Sequence, residues 1–493
     1  MKTKEFNLVK EGAVRVRIAP SPTGYLHMGT ARAALFNYLF AKQNQGRFIL
    51  RMEDTDKARS LPEYEKDIIE SLKWLGLDWN EGPDVGGDYG PYRQSEKTDA
   101  YKDYLEKLLA ENKAYYCFCS QDELEAQKQY HMSIGEAPRY NGKCSGLDKK
   151  TVKKYLEEKK PSVIRFRTPA KKIVFEDMIR GKLEFDSGLM GDIVIAKDLL
   201  NPLYNFTVVV DDYEMKISHV IRGEDHISNT PKQMLLQEAL GFIHPRYGHL
   251  PLILGTDRSK MSKRHGDVAV STYRKEGYLP EAIINFIAFL GWNPGDDKEI
   301  YSLAGLIKDF SLEKVQKGGA VFNVKKLEFL NGFYIRKKSL EKLALLCLSY
   351  WQEQGLVGQG SADMKYLEKV VALYQERLKK LSEIIELTDF FFKEPEYDKE
   401  LLSWKGSDDK QTKASLDKLE HLLSKIKEAD WNREHLESAI MPEAEKSKDR
   451  GLMLWPFRAA LSGKQSSAGP FEIASVLGRE KTLDRVKRAK NML

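Results

Sequence analysis

The fold is indicated by residues 19–32, which read Ala19-Pro-Ser-Pro-Thr-Gly-Tyr-Leu-His-Met-Gly-Thr-Ala-Arg32. An alternating, β-branched run at residues 14–19 leads into this loop and predicts a strand. Apolar residues then recur at helical spacing, and residues 47–52 favour a second strand. The order strand, Pro/Gly loop, helix, strand is typical of a βαβ unit, which builds a parallel sheet.

His27 and Gly29 stand where this loop meets the predicted helix, the place at which open α/β sheets bind nucleotides. A helix N-terminus offers free N–H groups and a partial positive charge to phosphates. We expect His27 to donate a hydrogen bond to a phosphate and Gly29 to leave a bare surface for adenosine. A histidine beside a Pro/Gly loop is also common on ordinary surfaces, so these residues alone leave both interpretations open.

The composition is compatible with a chain of several domains that works in the cytoplasm. The 493 residues suffice for three or four domains, and 31% of them are charged. A net charge of +6 allows a polyanionic partner without requiring one. No apolar run approaches the roughly 20 residues of a membrane span, and the N-terminal residues lack the apolar core of a signal peptide. We therefore expect a cytoplasmic protein without a membrane segment.

Further along the chain, sequence patterns predict an interrupted sheet followed by helices. Ser60 and Glu63 have capping-box spacing and predict the start of a helix. Residues 115–205 hold clustered cysteines and a lysine-rich helix, which indicate an insertion. The sheet is predicted to resume with two β-rich runs at 206–210 and 217–221, and a helical pattern dominates beyond residue 280, including one long helix over 367–391.

Residues 255–266 form a short basic segment after the last predicted strand of the sheet. A loop carrying Lys260 and Lys263 would fold over the ATP triphosphate and stabilise the charge on the departing pyrophosphate. Taken alone, a lysine-rich loop is more often solvated surface. Combined with His27 and Gly29 on the same predicted sheet, it becomes a specific signal.

The two signatures together resemble those of class I aminoacyl-tRNA synthetases, as His27-Met-Gly-Thr30 and Lys260-Met-Ser-Lys-Arg264. Within that class the chain is similar to glutamyl-tRNA synthetases of the bacterial type. The stretches that carry this resemblance are Ala19-Pro-Ser-Pro-Thr-Gly24, Arg51-Met-Glu-Asp-Thr-Asp56, Pro91-Tyr-Arg-Gln-Ser95 and Val220-Ile-Arg-Gly-Glu-Asp225. The resemblance extends from about residue 14 to the C-terminus.

The resemblance implies a multidomain α/β plus all-α architecture. A Rossmann-like parallel-sheet catalytic domain, residues 1–97 and 206–266, would be split by an α+β insertion at 98–205 that binds the tRNA acceptor end. A stem-contact region would occupy residues 267–335, and helical anticodon-binding domains residues 336–493. The implied reaction is the activation of L-glutamate with ATP and Mg²⁺, followed by transfer to the 3′ end of tRNA(Glu), by a monomer. Some members also charge tRNA(Gln), and that choice stays open.

The resemblance also implies the roles of individual residues. His27, Lys260 and Lys263 would be catalytic. The ATP contacts would be His27, Gly29, Thr30, Lys260, Met261, Ser262, Lys263 and Arg264, and the glutamate contacts Arg17, Ser21, Glu53, Tyr204 and Arg222. Arg377 and Arg458 would contact tRNA. Some members have Asn at the position of Val208, so one glutamate contact differs here.

The cysteines of the predicted insertion suggest a metal site. Cys117 and Cys119 lie one residue apart and Cys144 follows on a later turn, a pattern that suits thiolate ligands of tetrahedral zinc. Three cysteines leave the fourth ligand open, and the resemblance implies that Tyr140 fills it in a structural Zn²⁺ site. Three reduced cysteines without a metal are the alternative.

Three alternative functions are considered. Glutaminyl-tRNA synthetases share the catalytic fold, but their anticodon region is β-barrelled, whereas the pattern here is helical. The tRNA-modifying glutamyl-queuosine enzyme lacks an anticodon-binding region. An inactive paralogue that serves as an RNA-binding module is disfavoured because His27, Glu53, Arg222, Lys260 and Lys263 are all present.

Overall fold

The computed structural model describes residues 14–261, 269–360, 362–447 and 449–493. The chain divides into two compact units, one of residues up to 274 together with 280–327, and one of residues 275–279 together with 328–493. Among the helices that the structure describes, none combines the length and the apolar character needed to cross a membrane.

The first unit is built from short strands with helices between them. Its strands are β1 (Arg15–Ile18), β2 (Arg47–Leu50), β3 (Ala114–Cys117), β4 (Val163–Phe166), β5 (Lys172–Asp177), β6 (Gly181–Asp186), β7 (Val194–Ala196), β8 (His219–Gly223), β9 (Arg246–Leu250), β10 (Ile253–Leu254) and β11 (Ala320–Val321). The helices up to residue 309 are α1 (Met28–Gln43), α2 (Pro62–Trp74), α3 (Thr98–Ala110), α4 (Gln121–Ser133), α5 (Lys149–Glu157), α6 (Tyr204–Glu214), α7 (Thr230–Leu240), α8 (Val270–Lys275), α9 (Pro280–Ala288) and α10 (Leu303–Asp309).

The sheet of the predicted catalytic domain, called the catalytic sheet below, is parallel from β2 to β5 and has β1 as an inner strand. β1 pairs with β2 on one side. On the other side Ser218, just before β8, donates its backbone N–H to the Arg15 carbonyl at 2.9 Å. β8 in turn pairs with β9, also in parallel. The carboxyl ends of these strands therefore lie at one edge of the sheet, and the Pro/Gly loop of residues 19–27 starts from that edge.

The predicted βαβ unit is confirmed as β1, α1 and β2. Leu35 and Leu39 of α1 are fully buried, as their helical spacing predicts. Gly46 stands between α1, whose C-cap is Asn44, and the start of β2 at Arg47. A Cβ at this position would lie 2.3 Å from the carbonyl oxygen of Val14, so only glycine lets the two strands meet here.

The predicted insertion, residues 98–205, forms one sheet of its own and adds the two strands β5 and β6 to the catalytic sheet. β3, β4 and β7 form an antiparallel sheet. β5 and β6 form a hairpin, and β5 pairs in parallel with β9 through Asp177 and Tyr247. The insertion is therefore joined to the catalytic sheet by backbone pairing as well as by chain connection.

The second unit is helical in its described residues. α11 (Val324–Arg336) contains the boundary between the units, and the helices that follow are α12 (Leu340–Glu353), α13 (Met364–Ala372), α14 (Glu383–Thr388), α15 (Asp409–Ser424), α16 (Arg433–Ala444), α17 (Gly451–Ser462), α18 (Pro470–Leu477) and α19 (Arg479–Asn491). Their buried residues are mainly leucine, isoleucine, valine and phenylalanine.

Three predicted elements are wrong. Residues 206–210 were expected as a strand but belong to α6, because Phe206 and Val208 pack into the core and burial outweighs the β propensity of a valine run. α2 has Leu61, not Ser60, as its N-cap, without a side-chain capping bond. The long helix over 367–391 is two helices, α13 and α14, because the Leu381 N–H donates to the carbonyl of Gly277 instead of continuing a helix.

Candidate active site and cysteine cluster

A cavity of about 600 Å³ opens at the carboxyl ends of β1 and β8. Predicted site residues from five separate parts of the chain line it: Arg17, Ser21, His27, Gly29, Thr30, Glu53, Tyr204, Arg222, Lys260 and Met261. The structure thus brings the predicted ATP and glutamate residues around one cavity. Ser262, Lys263 and Arg264 lie outside the described residues.

His27 is the N-cap residue of α1. Its Nδ1 accepts a hydrogen bond from the Gly29 N–H at 2.9 Å, so the ring proton lies on Nε2. Burial lowers the pKa of His27, and the nearby Lys260 lowers it further, so the imidazole is neutral at pH 7. His27 is therefore a neutral donor at a helix N-terminus, a combination suited to a phosphate oxygen.

Lys260 lies at the mouth of the cavity and is held there by an acidic neighbour. Its Nζ is 3.1 Å from Oδ2 of Asp225, which follows β8. The next residue, Met261, is buried and its N–H donates to the carbonyl of Ile253 at 2.9 Å. The segment that carries the predicted phosphate-binding lysines thus starts from a fixed point on β10.

Arg17 and Glu53 belong to one buried network of charges. Asp212 of α6 accepts from Arg17 Nε at 3.1 Å and from Arg51 Nη1 at 2.7 Å. Arg51, which is fully buried, also donates to Glu53 Oε1 at 3.1 Å. Burial raises the pKa of Glu53, more than the positive charges of Arg51 and Arg17 lower it. The network fixes a cation and a carboxylate side by side at the cavity wall.

Arg51 and Asp212 were missed by the sequence reasoning as parts of the site. Arg51 had a weak signal, since a charged residue directly after a buried strand requires a partner. Asp212 had none, because it is 195 residues away from Arg17 in the chain.

Arg222, at the end of β8, is held by three side chains. Its Nη2 donates to Thr230 Oγ1 at 2.9 Å and to Gln233 Oε1 at 2.8 Å, and its Nε donates to His249 Nε2 at 3.3 Å. Its buried Nη1 has no hydrogen-bond partner within the described ranges. The guanidinium is therefore fixed on two nitrogens, and a third remains for a ligand in the cavity.

Tyr204 and His226 form a second polar wall of the cavity. The Tyr204 hydroxyl lies 3.0 Å from His226 Nδ1, with the rings 5.6 Å apart. Burial, followed by the charge of Arg222, lowers the pKa of His226 to about 4, so its ring is neutral at pH 7. His226 was not predicted, although it directly follows the motif that ends at Asp225. Val208 is a core residue of α6 and does not appear among the described residues that line the cavity.

The three cysteines of the insertion form a compact cluster. Their Sγ atoms lie within 4.8 Å of one another, with Cys119 and Cys144 at 3.6 Å. Tyr140 Oη lies 3.4 Å from Cys117 Sγ and 3.5 Å from Cys119 Sγ. Tetrahedral zinc with Zn–S bonds near 2.3 Å places its sulfurs about 3.8 Å apart. The donor set and its spacing therefore fit a zinc ion.

Arg377 and Arg458, the predicted tRNA contacts, lie in the second unit. Arg377 Nη1 donates to the Ser467 carbonyl at 2.9 Å, and Arg458 Nη2 to that of Gln465 at 2.7 Å. The Arg458 guanidinium also stands 4.4 Å from the ring of Trp455. Both side chains therefore have structural partners in this unit, and a role towards RNA stays a prediction.

The chain is similar to known proteins over most of its length. The family model described as tRNA synthetases class I (E and Q), catalytic domain, matches residues 13–329, and the anticodon binding domain model matches 342–490. A glutamate–tRNA ligase of Caldicellulosiruptor saccharolyticus is 46% identical, over 96% of this chain and 98% of that protein. The chain belongs to the glutamyl-tRNA synthetase family. The glutamate–tRNA ligase of Carboxydothermus hydrogenoformans is 45% identical to it, over 94% of this chain and 97% of that protein.

Solved structures show the same family and fold. A crystal structure of a glutamate tRNA ligase from Elizabethkingia meningosepticum in complex with its amino acid has a TM-score of 0.86 at 37% identity. It covers 97% of this chain, and 99% of that chain is matched. The expected α/β catalytic part followed by a helical anticodon-binding part is confirmed.

Proposed function

We propose that this protein is an active, cytoplasmic glutamate–tRNA ligase that charges tRNA(Glu) and works as a monomer. One observation carries the proposal. A single cavity is lined by a neutral histidine donor, a lysine and an arginine–carboxylate pair. These are the groups needed to hold ATP phosphates and an amino acid with a charged side chain next to each other.

Glutamate would be held by opposite charges at fixed points. Arg222 Nη1 would bind a substrate carboxylate, because its other nitrogens are already engaged. Glu53 would accept from the substrate ammonium, and Arg17 would provide a second cation. Ser21 and Tyr204 would add hydrogen bonds from the cavity wall. Two cations favour a substrate with two carboxylates, so glutamine would bind less well.

ATP would lie against the N-terminus of α1. His27 Nε2–H would donate to a phosphate oxygen, and Gly29 and Thr30 would leave room for the nucleoside. Lys260, Met261 and the segment that continues through Ser262, Lys263 and Arg264 would cover the phosphates. Mg²⁺ bound with ATP would neutralise further phosphate charge.

The first reaction step would need positioning more than acid–base chemistry. The ionised glutamate α-carboxylate attacks the α-phosphorus, an acyl–phosphate bond forms, and the bond to pyrophosphate breaks in line. His27 and Lys260 would stabilise the charge on the leaving group. In the second step a terminal ribose hydroxyl of tRNA attacks the acyl carbon, loses its proton, and AMP leaves.

The decisive experiment is pyrophosphate exchange with glutamate, ATP and tRNA(Glu), followed by aminoacylation of purified tRNA(Glu) and tRNA(Gln). Exchange that depends on glutamate and is weakened in Arg222→Ala supports the proposal. The absence of exchange with either tRNA would instead favour the inactive paralogue that binds RNA. Charging of both tRNAs would show that the enzyme does not discriminate between tRNA(Glu) and tRNA(Gln), whereas charging of tRNA(Glu) alone would show that it does.

We also propose that Cys117, Cys119, Cys144 and Tyr140 hold a structural Zn²⁺. Such an ion would tie the end of β3 and the residues that follow it, 117–119, to the later segment at 140–144 and stabilise the inserted segment. Elemental analysis should find about one zinc ion per chain in the wild type and a loss in Cys119→Ser. Cys347→Ser, which alters a buried cysteine of α12, should retain the metal. A metal content far below one ion per wild-type chain contradicts the site.

A further inference from the structure

His249 of β9 is completely buried next to Arg222, and the described mechanism does not use it. Its Nε2 accepts from Arg222 Nε at 3.3 Å and lies 3.0 Å from the hydroxyl of Thr230. An arginine Nε is always a donor, so Nε2 of His249 must be the unprotonated nitrogen. The orientation of Arg222 therefore depends on which nitrogen of His249 carries the proton.

Asp177, the last residue of β5, sets that proton on the opposite nitrogen. Its Oδ2 lies 2.6 Å from His249 Nδ1, and both side chains are buried. Its Oδ1 accepts from the backbone N–H groups of Ile179, Arg180 and His249. With every oxygen engaged as an acceptor, Asp177 stays ionised and keeps the proton on Nδ1. The result is a directed chain of hydrogen bonds, from Arg222 through His249 to Asp177.

The two ends of this chain come from different parts of the fold. Arg222 belongs to the catalytic sheet, whereas Asp177 belongs to the hairpin of the inserted segment. The turn of that hairpin makes a second link to the cavity, since Arg180 forms an ion pair with Glu224. Glu224 in turn accepts from the Leu252 N–H at 2.7 Å.

We propose that Asp177 and His249 are positioning residues that aim Arg222 at the carboxylate of glutamate, so that the inserted hairpin helps to set glutamate affinity. This inference rests on the proposed glutamate–tRNA ligase activity. Neither residue touches the substrate. Their effect is confined to the direction of one guanidinium, which distinguishes them from residues that act on ATP.

Asp177→Asn tests the direction of the hydrogen bonds at almost constant volume. The amide oxygen would replace Oδ1 against the three backbone N–H groups, which leaves the NH₂ group facing His249 Nδ1. His249 would then have to carry its proton on Nε2, and this N–H would face the Nε–H of Arg222, so neither group could accept. We expect the glutamate KM to rise about tenfold, the size of one lost hydrogen bond to a charged group, while the ATP KM changes less than about twofold.

A pair of substitutions at His249 separates the hydrogen bond from the packing. His249→Gln can place its amide oxygen near the former Nε2 and accept from Arg222, whereas His249→Leu cannot. We expect the glutamate KM to rise far more in the leucine variant than in the glutamine variant. In an Arg222→Lys background, His249→Leu should add little, because the Nε–H that it serves is gone. His219→Gln is the matched control, since His219 is a buried histidine of β8 that bonds Ser218.

The same assay distinguishes failure of this inference from failure of the proposed function. If the wild type does not activate glutamate at all, the proposed function fails. If it does, an unchanged glutamate KM in Asp177→Asn overturns the inference. Equal effects of His249→Gln and His249→Leu, or an ATP KM that rises in parallel, overturn it too. Thermal melting of each variant, compared with His219→Gln, shows that the folded protein is being measured.

Discussion

Replacing Glu53 by glutamine should weaken glutamate binding without loosening the fold. Glu53 Oε1 accepts from Arg51 Nη2 at 3.1 Å, and a glutamine oxygen can keep this bond. The interaction that would be lost is the proposed charged one to the substrate ammonium. A hydrogen bond between charged groups contributes about 1.5–3 kcal/mol, which corresponds to a roughly 10- to 150-fold rise in the glutamate KM. The ATP KM should stay near its wild-type value.

The raised pKa of Glu53 predicts how Glu53→Gln changes the melting temperature and how glutamate affinity changes with pH. Burial raises the pKa of Glu53 above the ordinary value of 4.5, so folding disfavours its ionised form. Glu53→Gln should therefore not lower the melting temperature at pH 7. On acidification the wild type should lose glutamate affinity at a pH above the ordinary carboxylate range, because Glu53 takes up its proton early. The variant should lack this dependence.

Glu81→Gln is the matched control, since Glu81 is also a buried carboxylate paired with an arginine. It accepts from Arg15 at 2.7 and 2.9 Å and from the Tyr92 hydroxyl at 2.5 Å. Burial raises the pKa of Glu81, but these hydrogen bonds outweigh it and hold the pKa below its usual value. Its contribution to stability is thus present at neutral pH and is lost as the pH falls through the lowered pKa.

The two variants should therefore behave in opposite ways. Glu81→Gln should melt at a lower temperature than the wild type with an unchanged glutamate KM, whereas Glu53→Gln should raise the glutamate KM without lowering the melting temperature. Pyrophosphate exchange at varied glutamate and ATP concentrations measures the KM values, and calorimetry measures the melting temperature. A wild-type glutamate KM in Glu53→Gln, or an equal rise in Glu81→Gln, would refute the assignment of Glu53 to the substrate ammonium.

Two further predictions concern Gly29, at the cavity, and Arg485, in the helical unit. A Cβ at Gly29 would lie 3.3 Å from His27 Nδ1, so Gly29→Ala should displace the imidazole ring that caps α1. We expect the ATP KM to rise by up to about tenfold and the glutamate KM to stay unchanged. An unaltered ATP KM in exchange kinetics would contradict a role of Gly29 in ATP binding. Arg485 is buried and donates to the carbonyls of Leu461 and Phe390, so Arg485→Leu should destabilise the protein by about 2–6 kcal/mol in calorimetry. Arg485→Lys should recover part of this loss, and equal melting of both variants with the wild type would contradict it.

The parts of the fold that were predictable from the sequence are those set by local patterns. The alternation of residues 14–19, the Pro/Gly loop and the apolar spacing after it predict β1 and α1 because each depends on near neighbours. His27 could be placed at a helix start for the same reason. The cysteine cluster was predictable because ligand types and spacing constrain where three thiolates can meet.

The elements that were mispredicted depend on contacts distant in sequence. The run at 206–210 has strong β propensity, yet α6 forms because its apolar residues pack on several sides. The partners that orient Arg17 and Arg222, namely Asp212 and His249, follow them by 195 and 27 residues. Nothing in a local pattern indicates which aspartate or histidine will arrive next to a given arginine.

The two strands that the insertion adds to the catalytic sheet have a consequence for how this protein could be divided or recombined. Removing residues 98–205 would take away β5 and uncover one side of β9, leaving unpaired backbone groups that could join another chain. A trimmed version would therefore be prone to self-association, however well its remaining sequence packs. A chimaera that takes this segment from a relative should fold only when β5 and the residues of β9 that pair with it come from the same protein.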